Sequence, residues 1–367
     1  MITGADGYLG RRIARRLLAD ASDHLLLWVH AKDDAALRLK QEALRDLAGS
    51  NPDRVQIVGG DLAQAQPFAC ADPKSVRRIV HAAAVTRFNV DADTARAVNV
   101  SGADKLLQFA QACPSLESCL MLSSVYATGL TPGVLQEKPA DGREGFANYY
   151  EQSKWQAEQL LQERYAQIPW RILRVATVIA DNASGTVSQY NAVHNTLKLF
   201  FYGLLSLIPG KPSTPLYLIT GEMAEEAAYR VMEKGKDKTI YHASTDRAHA
   251  PTLSQFLDSA FEVFLEQPDF AARRILKPLF SDAESFDMLA AGVQAFSGGV
   301  VSQAVGSVAP FSRQLFVEKD IRNDRLCELL DCAVFPDMRA VVRRLCAYLA
   351  QTKWGKEQHG SSVRPGA

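Results

Sequence analysis

Thr3-Gly4-Ala5-Asp6-Gly7-Tyr8-Leu9-Gly10 stands at the head of the chain. Three glycines at this spacing, followed by the amphipathic run Arg11–Asp20, predict a strand–loop–helix turn with a separate task for each glycine: a tight bend, close backbone approach by a pyrophosphate, and close contact of helix on strand. The first turn of the helix would add N–H donors and a partial positive charge. A glycine loop alone also fits an ordinary turn, so the surrounding residues decide the matter.

Outward from the loop, short apolar runs alternate with helical patterns. Leu25–Val29, Val55–Val58, Arg78–Val80 and Ser118–Leu122 read as strands, and Arg11–Asp20, Asp33–Ala48, Thr94–Ala112 and Tyr150–Tyr165 as helices. Such alternation is the pattern of βαβ units and a parallel sheet. Arg171–Val178 adds a β-branched strand, and Leu216–Ile219 is expected to rejoin the sheet after a loop marked by Pro209, Pro212 and Pro215. The fold class is α/β: a Rossmann-type doubly wound parallel sheet with a smaller, mostly helical C-terminal substrate domain. The expected boundaries are 1–180 for the dinucleotide-binding part, with 214–250 partly rejoining it. Residues 181–355 form the helical substrate-binding region, broken by the small-residue stretch Ser297–Val308, and 356–367 a disordered polar tail. Only Met1 to Thr3 precede the glycine loop, so the first strand is expected to be cut short and the natural start to lie upstream.

Composition narrows the function. The 367 residues are 47% hydrophobic, with 41 Lys plus Arg against 41 Asp plus Glu, a balance that offers no field for nucleic acid or an anionic membrane. Cys70, Cys113, Cys119, Cys327, Cys332 and Cys346 form no C-x-x-C pair and no zinc-type spacing with histidine. No metal site is expected, and the thiols read as reduced core residues. Glycines interrupt any early apolar run, and Leu199–Ile208 is too short to span a bilayer. A cytoplasmic protein is expected.

Tyr150 and Lys154 stand four apart at the start of a helical run, which stacks both side chains on one face. A phenol is a poor acid–base group near neutrality. A neighbouring ammonium, helped by the charge of an oxidised nicotinamide, is expected to pull it toward the working range. The lysine can also hydrogen-bond the nicotinamide ribose. Leu122-Ser123-Ser124-Val125 ends a strand at the carboxyl edge of the sheet, where open α/β sheets place their ligands, and Ser124 can donate to a substrate oxygen held against Tyr150. A Y-x-x-x-K is common by chance; the ordered set of glycine loop, serine strand and tyrosine helix is not.

This set resembles the extended short-chain dehydrogenase/reductase superfamily over roughly the first 250 residues. His81-Ala82-Ala83-Ala84 is similar to its motif beside the nicotinamide, and Asn99-Val100-Ser101-Gly102 to its N-V-x-G motif. The resemblance implies a catalytic triad of Ser124, Tyr150 and Lys154, with Asn99 as a supporting residue. It further implies cofactor contacts from Thr3, Gly4, Gly7, Tyr8, Leu9, Gly10, His81, Ala82, Ala83, Asn99, Tyr150 and Lys154. Asp61 and Leu62 close the third strand where an adenine contact would sit. His81–Phe88, Asn148–Trp155 and Arg174–Gly185 look most like the fatty acyl-CoA reductase and thioester-reductase branch. Arg174 is followed by Val175-Ala176-Thr177 where that branch has R-P-G or R-P-S, and Glu222 stands in place of its aspartate, with no V-P-V-D before it.

The second strand ends Val29-His30-Ala31-Lys32-Asp33-Asp34. Cations there suit a 2′-phosphate and an acid suits a ribose hydroxyl. His30 (where the branch has arginine), Lys32 and Arg38 favour NADP(H) over NAD(H), while Asp33 and Asp34 suit helix capping. Leu197–Ile208 reads either as a wall for a long acyl chain, as a face for a membrane surface, or as a buried packing helix, the last being the commoner use of such a run. The expected activity is reduction of a carbonyl or acyl thioester of an apolar substrate, the acyl group carried on CoA or a carrier protein. A nucleotide-sugar epimerase or dehydratase, a hydroxysteroid-type dehydrogenase and a non-catalytic cofactor-binding regulator are the alternatives, and a homodimer is left open.

Overall fold

Seven strands form one parallel sheet: β1 (Ile2–Thr3), β2 (Leu25–His30), β3 (Val55–Gly60), β4 (Arg78–His81), β5 (Ser118–Ser124), β6 (Trp170–Val175) and β7 (Thr239–Ala243). The computed structural model describes residues 1–20, 24–49, 52–295, 300–330 and 335–356. The strand order is β7-β6-β5-β4-β1-β2-β3, so the winding reverses between β1 and β4, the place where such sheets open a crevice at their carboxyl ends. β1 is only two residues long yet pairs on both sides, Ile2 with Leu27 and Val80, Thr3 with Trp28 and His81. β5 is buried along its whole length, as a central strand covered on both faces must be.

The chain divides into two compact units. Unit 1 comprises Met1–Ala176, Glu222–Ser244 and Ile321–Ala333; unit 2 comprises Thr177–Gly221, Thr245–Asp320 and Val334–Ala367. Unit 1 holds the sheet, its glycine loop and helices Tyr8–Asp20 and Tyr149–Arg164. The second of these starts at Asn148, whose side chain accepts the Glu151 N–H, while the Glu151 carboxylate accepts from Ala147 N. Two orphan donors of the helix start are thereby satisfied.

Four sequence expectations need correction. Arg171–Val178 is not one strand: Ala176 N still donates to Ala243 O, but Thr177 N donates to Tyr217 O, so the chain changes partner between them. Leu216–Ile219 consequently does not rejoin the sheet. Leu218–Thr220 pairs in parallel with Thr177–Ala180 as a separate two-stranded sheet, and Thr239–Ala243 is the segment that returns to β6. The single helix expected over Thr94–Ala112 is Ala92–Ala95, a π-helical turn Arg96–Ser101, and Gly102–Gln111; likewise Asp33–Ala48 breaks at Leu44.

Unit 2 packs around aromatic rings. Phe200, Phe264 and Phe270 are fully buried and meet one another with centroids 5.5–6.0 Å apart, a geometry that adds to simple burial. Leu197, Phe200, Phe201, Leu205 and Ile208 all enter this core, whereas Tyr202 and Leu204 are exposed. Leu197–Ile208 is therefore mostly packing, and its helix ends at Phe201. Of the small-residue stretch, Ser297–Gly299 lies outside the described residues, and Val300–Ser312 is helix. Residues 357–367 of the expected tail, and Cys332, also lie outside. Among the described cysteines Cys113, Cys119 and Cys346 are buried, Cys327 is half-buried and Cys70 exposed. Among the described residues no helix is long and apolar enough to cross a membrane, and no group of His, Cys, Asp and Glu could hold a metal ion.

Candidate active site

The glycine loop is as tight as its sequence requires. Gly4 has φ +67°, and a Cβ there would meet the Ala83 backbone at 2.7 Å. A Cβ on Gly10 would fall 2.1 Å from Gly4 O, so the helix beginning at Tyr8 rests directly on the loop. Gly7 N donates to Gly4 O and Arg11 N to Gly7 O. Thr3 is buried beneath the loop, its Oγ1 2.7 Å from His81 Nδ1 and accepting from Ala83 N at 3.3 Å. Thr3, Gly4, His81, Ala82 and Ala83 are thus one contact network. Burial, and then the nearby Lys154, push the His81 imidazole down to about 3, so it is neutral and can accept from the threonine.

Ser124, Tyr150 and Lys154 converge at the carboxyl end of β5. All three are buried. The Ser124 hydroxyl hydrogen-bonds the Tyr150 phenol and accepts from Tyr126 N. Lys154 Nζ donates to Leu122 O at 2.8 Å. Burial lowers Lys154 to about 8, opposed by the Glu158 charge. Tyr150 departs from expectation: in the protein alone, desolvation outweighs the Ser124 bond and pushes the phenol up to about 12. It stands protonated at neutral pH, a donor rather than a base.

Asn99 explains why the π turn is kept. Its Oδ1 accepts from Val85 N, and its Nδ2 donates to Val85 O and to Ser153 Oγ, all at 2.8–2.9 Å. Ser153 Oγ in turn donates to Tyr150 O. One amide thus joins the loop after β4 to the tyrosine helix; π turns commonly mark functional positions of this kind. Leu62 is buried against the same segment, 2.9 Å from where a Gly102 Cβ would sit.

At the ends of β2 and β3 the charges are in solvent. His30 is 57% exposed and lies 3.6 Å from Asp61; Lys32 and Arg38 are exposed. Asp33 caps the next helix through Ala36 N. Sequence reading missed Lys40, whose Nζ donates to Asp6 Oδ2 in the glycine loop at 2.7 Å. It also missed Phe88, whose ring lies 5.7 Å from Tyr150 and 6.0 Å from Tyr126, and the Glu158–Arg174 pair. A carboxylate four residues beyond Lys154 on the same helix face was the available signal for Glu158.

Comparison with known proteins agrees with this fold. The family model described as male sterility protein matches residues 2–228. Fatty acyl-CoA reductase 2, chloroplastic, of Arabidopsis thaliana is 29% identical over 161 residues, covering 38% of this chain and 26% of that protein. The alcohol-forming fatty acyl-CoA reductase of Simmondsia chinensis is 23% identical over 349 residues, covering 73% of this chain and 71% of that one. The chain thus spans about a quarter of the length of the Arabidopsis relative. Among solved structures, the terminal R domain from the myxalamid PKS-NRPS pathway superposes with a TM-score of 0.75 at 18% identity, over 97% of this chain and 91% of that one, which speaks for the fold alone. The chain belongs to the male sterility protein family.

Proposed function

We propose that the protein reduces an acyl thioester or carbonyl group of an apolar substrate, using NADP(H) in preference to NAD(H). The observation that carries this is a buried, protonated Tyr150, hydrogen-bonded to Ser124, at the carboxyl end of β5. The residues fit a nicotinamide dinucleotide. Side chains at Gly4 and Gly10 would strike the Ala83 and Gly4 backbone, so glycine there keeps the turn tight enough for a diphosphate to approach, and the helix beginning at Tyr8, continuing through Leu9, adds N–H donors. Asp61 and the cations His30, Lys32 and Arg38 are proposed for the adenosine end. His81, Ala82, Ala83 and Asn99 are proposed for the nicotinamide end. When bound, the reduced cofactor supplies the hydride.

The protein's own groups do the rest. Ser124 and Tyr150 orient the substrate oxygen, and Tyr150 delivers a proton to the oxyanion that forms as the carbonyl carbon is reduced. For a thioester the resulting hemithioacetal collapses to aldehyde and thiol. Lys154, fixed by Leu122 O, holds positive charge beside the phenol and stabilises the phenolate left behind. Phe88 bounds one side of the Tyr150 ring. The mostly helical unit 2 is proposed as the substrate-binding unit, and CoA or a carrier protein as what carries the acyl group.

The test is net NADPH oxidation with acyl thioesters and aldehydes of graded length. An apolar substrate gains roughly 0.8 kcal/mol per buried CH₂, so KM should fall as the chain lengthens. Turnover of a nucleotide sugar with no net cofactor consumption would overturn this assignment.

A further inference from the structure

Behind Lys154 runs a buried charged row that the reaction as derived leaves unused. Ser123 on β5, Arg174 on β6 and His242 on β7 share one register line, Ser123 opposite Arg174 and Arg174 opposite His242. Glu158 meets that row from the tyrosine helix. Its Oε1 accepts from Ser123 Oγ at 2.5 Å and from Arg174 Nε at 3.0 Å, and its Oε2 from Arg174 Nη2 at 2.6 Å. Arg174 Nη1 donates to Lys138 O and stands 3.3 Å from His242 Nε2. His242 Nδ1 lies 2.7 Å from Arg322 O; a proton there leaves Nε2 free to accept from the guanidinium. The Glu158 and Arg174 side chains are wholly removed from solvent. Desolvation offsets most of the attraction in such a pair, so stability alone is a weak reason to keep one.

We propose that Glu158 is a positioning residue for the hydride-transfer site, acting through Lys154 and through the Ser123–Ser124 strand end. This rests on the role given to Lys154 above. One carboxylate ties the helix bearing Tyr150 and Lys154 to the residue beside Ser124. The same carboxylate is the negative charge that keeps a buried ammonium protonated. The other groups around Lys154 cannot do so. Tyr150 on its own helix is a protonated phenol, His81 from β4 is a neutral imidazole, and Arg174 from β6 carries the wrong sign.

The direct test is NMR of isotope-labelled lysine side chains in the full chain, with Lys154 assigned through Lys154→Arg. Lys154 should titrate near 8 in the wild type and about 1 pH unit or more lower in Glu158→Gln, the scale expected for losing an adjacent opposite charge. Glu158→Asp, which keeps the charge, should restore most of the shift. If Glu158→Gln does not fold, Glu158→Gln with Arg174→Gln leaves no unpaired charge, and the downward shift should persist. An unchanged titration, with activity reduced by one factor at every pH, makes Glu158 a structural prop and overturns the proposal. The titration needs no substrate, so it stands apart from the reductase assay. There, the alkaline fall of kcat/KM should move to lower pH in step with Lys154. If the titration moves and that fall does not, the link between Glu158 and Lys154 holds and the role given to Lys154 in reduction fails.

Discussion

The carboxyl edge of one sheet is built in two ways. At the β4–β5 end, His81, Ser124, Tyr150 and Lys154 are buried, with His81 Nδ1 held by Thr3, Ser124 Oγ by Tyr126 N and Lys154 Nζ by Leu122 O. At the β2–β3 end, His30, Lys32 and Arg38 stand in water, and one loose ion pair to Asp61 is the main link. In the first region low dielectric and fixed partners make every substitution expensive. In the second, solvent screens each charge, and side chains can rearrange around a new ligand. Under the proposed function, chemistry would be held rigid while cofactor preference would be left easy to alter.

Tyr150→Phe should break the buried end most severely. Turnover is expected to drop about 10²–10⁴-fold, the usual cost of losing a general acid, with cofactor affinity by fluorescence titration largely kept. A variant with wild-type kcat would remove the tyrosine from the mechanism. Asn99→Ala should come next. It strands the Val85 N–H and C=O in a half-buried site, which costs about 1 kcal/mol in urea unfolding, the low end for an unsatisfied group; a change below a few tenths would show that the π turn does not depend on this amide.

Two histidines sharpen the contrast through pH. Burial first, then Lys154 beside His81 and Arg174 beside His242, push both imidazoles from 6.5 to about 3. Their folded-state values are depressed, so the stability they confer is full above pH 6.5 and is lost as pH falls toward 3. Each contributes up to about 1.4 kcal/mol per pH unit. Glu137, raised by burial to about 7, works in the other direction: its contribution is full below 4.5 and lost as pH rises through 7. His242→Gln should therefore flatten the acid-side fall between pH 6.5 and 5, and an unaltered slope would refute neutral burial of His242. The smallest effect belongs to the exposed end. His30→Ala with Lys32→Ala should weaken NADPH roughly three- to tenfold and NADH little, as for exposed charge-assisted contacts. Equal weakening of both cofactors would detach these residues from the 2′-phosphate.

What could be read from the sequence was local. The glycine spacing, the Tyr150–Lys154 interval and the Asp33 cap all lie within a few residues, and their consequences follow from loop and helix geometry. The rest needed register. Ser123, Arg174 and His242 become neighbours only when β5, β6 and β7 pair. The partner change at Ala176–Thr177 depends on Tyr217 and Ala243, far along the chain. The π turn, too, answers to Val85 and Ser153 rather than to its own helix propensity. The expected pull of lysine on tyrosine missed because desolvation, invisible in a linear sequence, is the larger effect.

Unit 1 is discontinuous, and that sets an order of assembly during synthesis. β6 emerges from the ribosome with one edge bare and must wait for Thr239–Ala243, while all of Thr177–Gly221 is made in between. Glu137 waits longer still, since its Arg325 partner lies 188 residues further along the chain. A nascent chain stalled before residue 239 would therefore carry the tyrosine, the lysine and the glycine loop, yet expose an open strand edge to its neighbours. That edge is covered only once Thr239–Ala243 has been made.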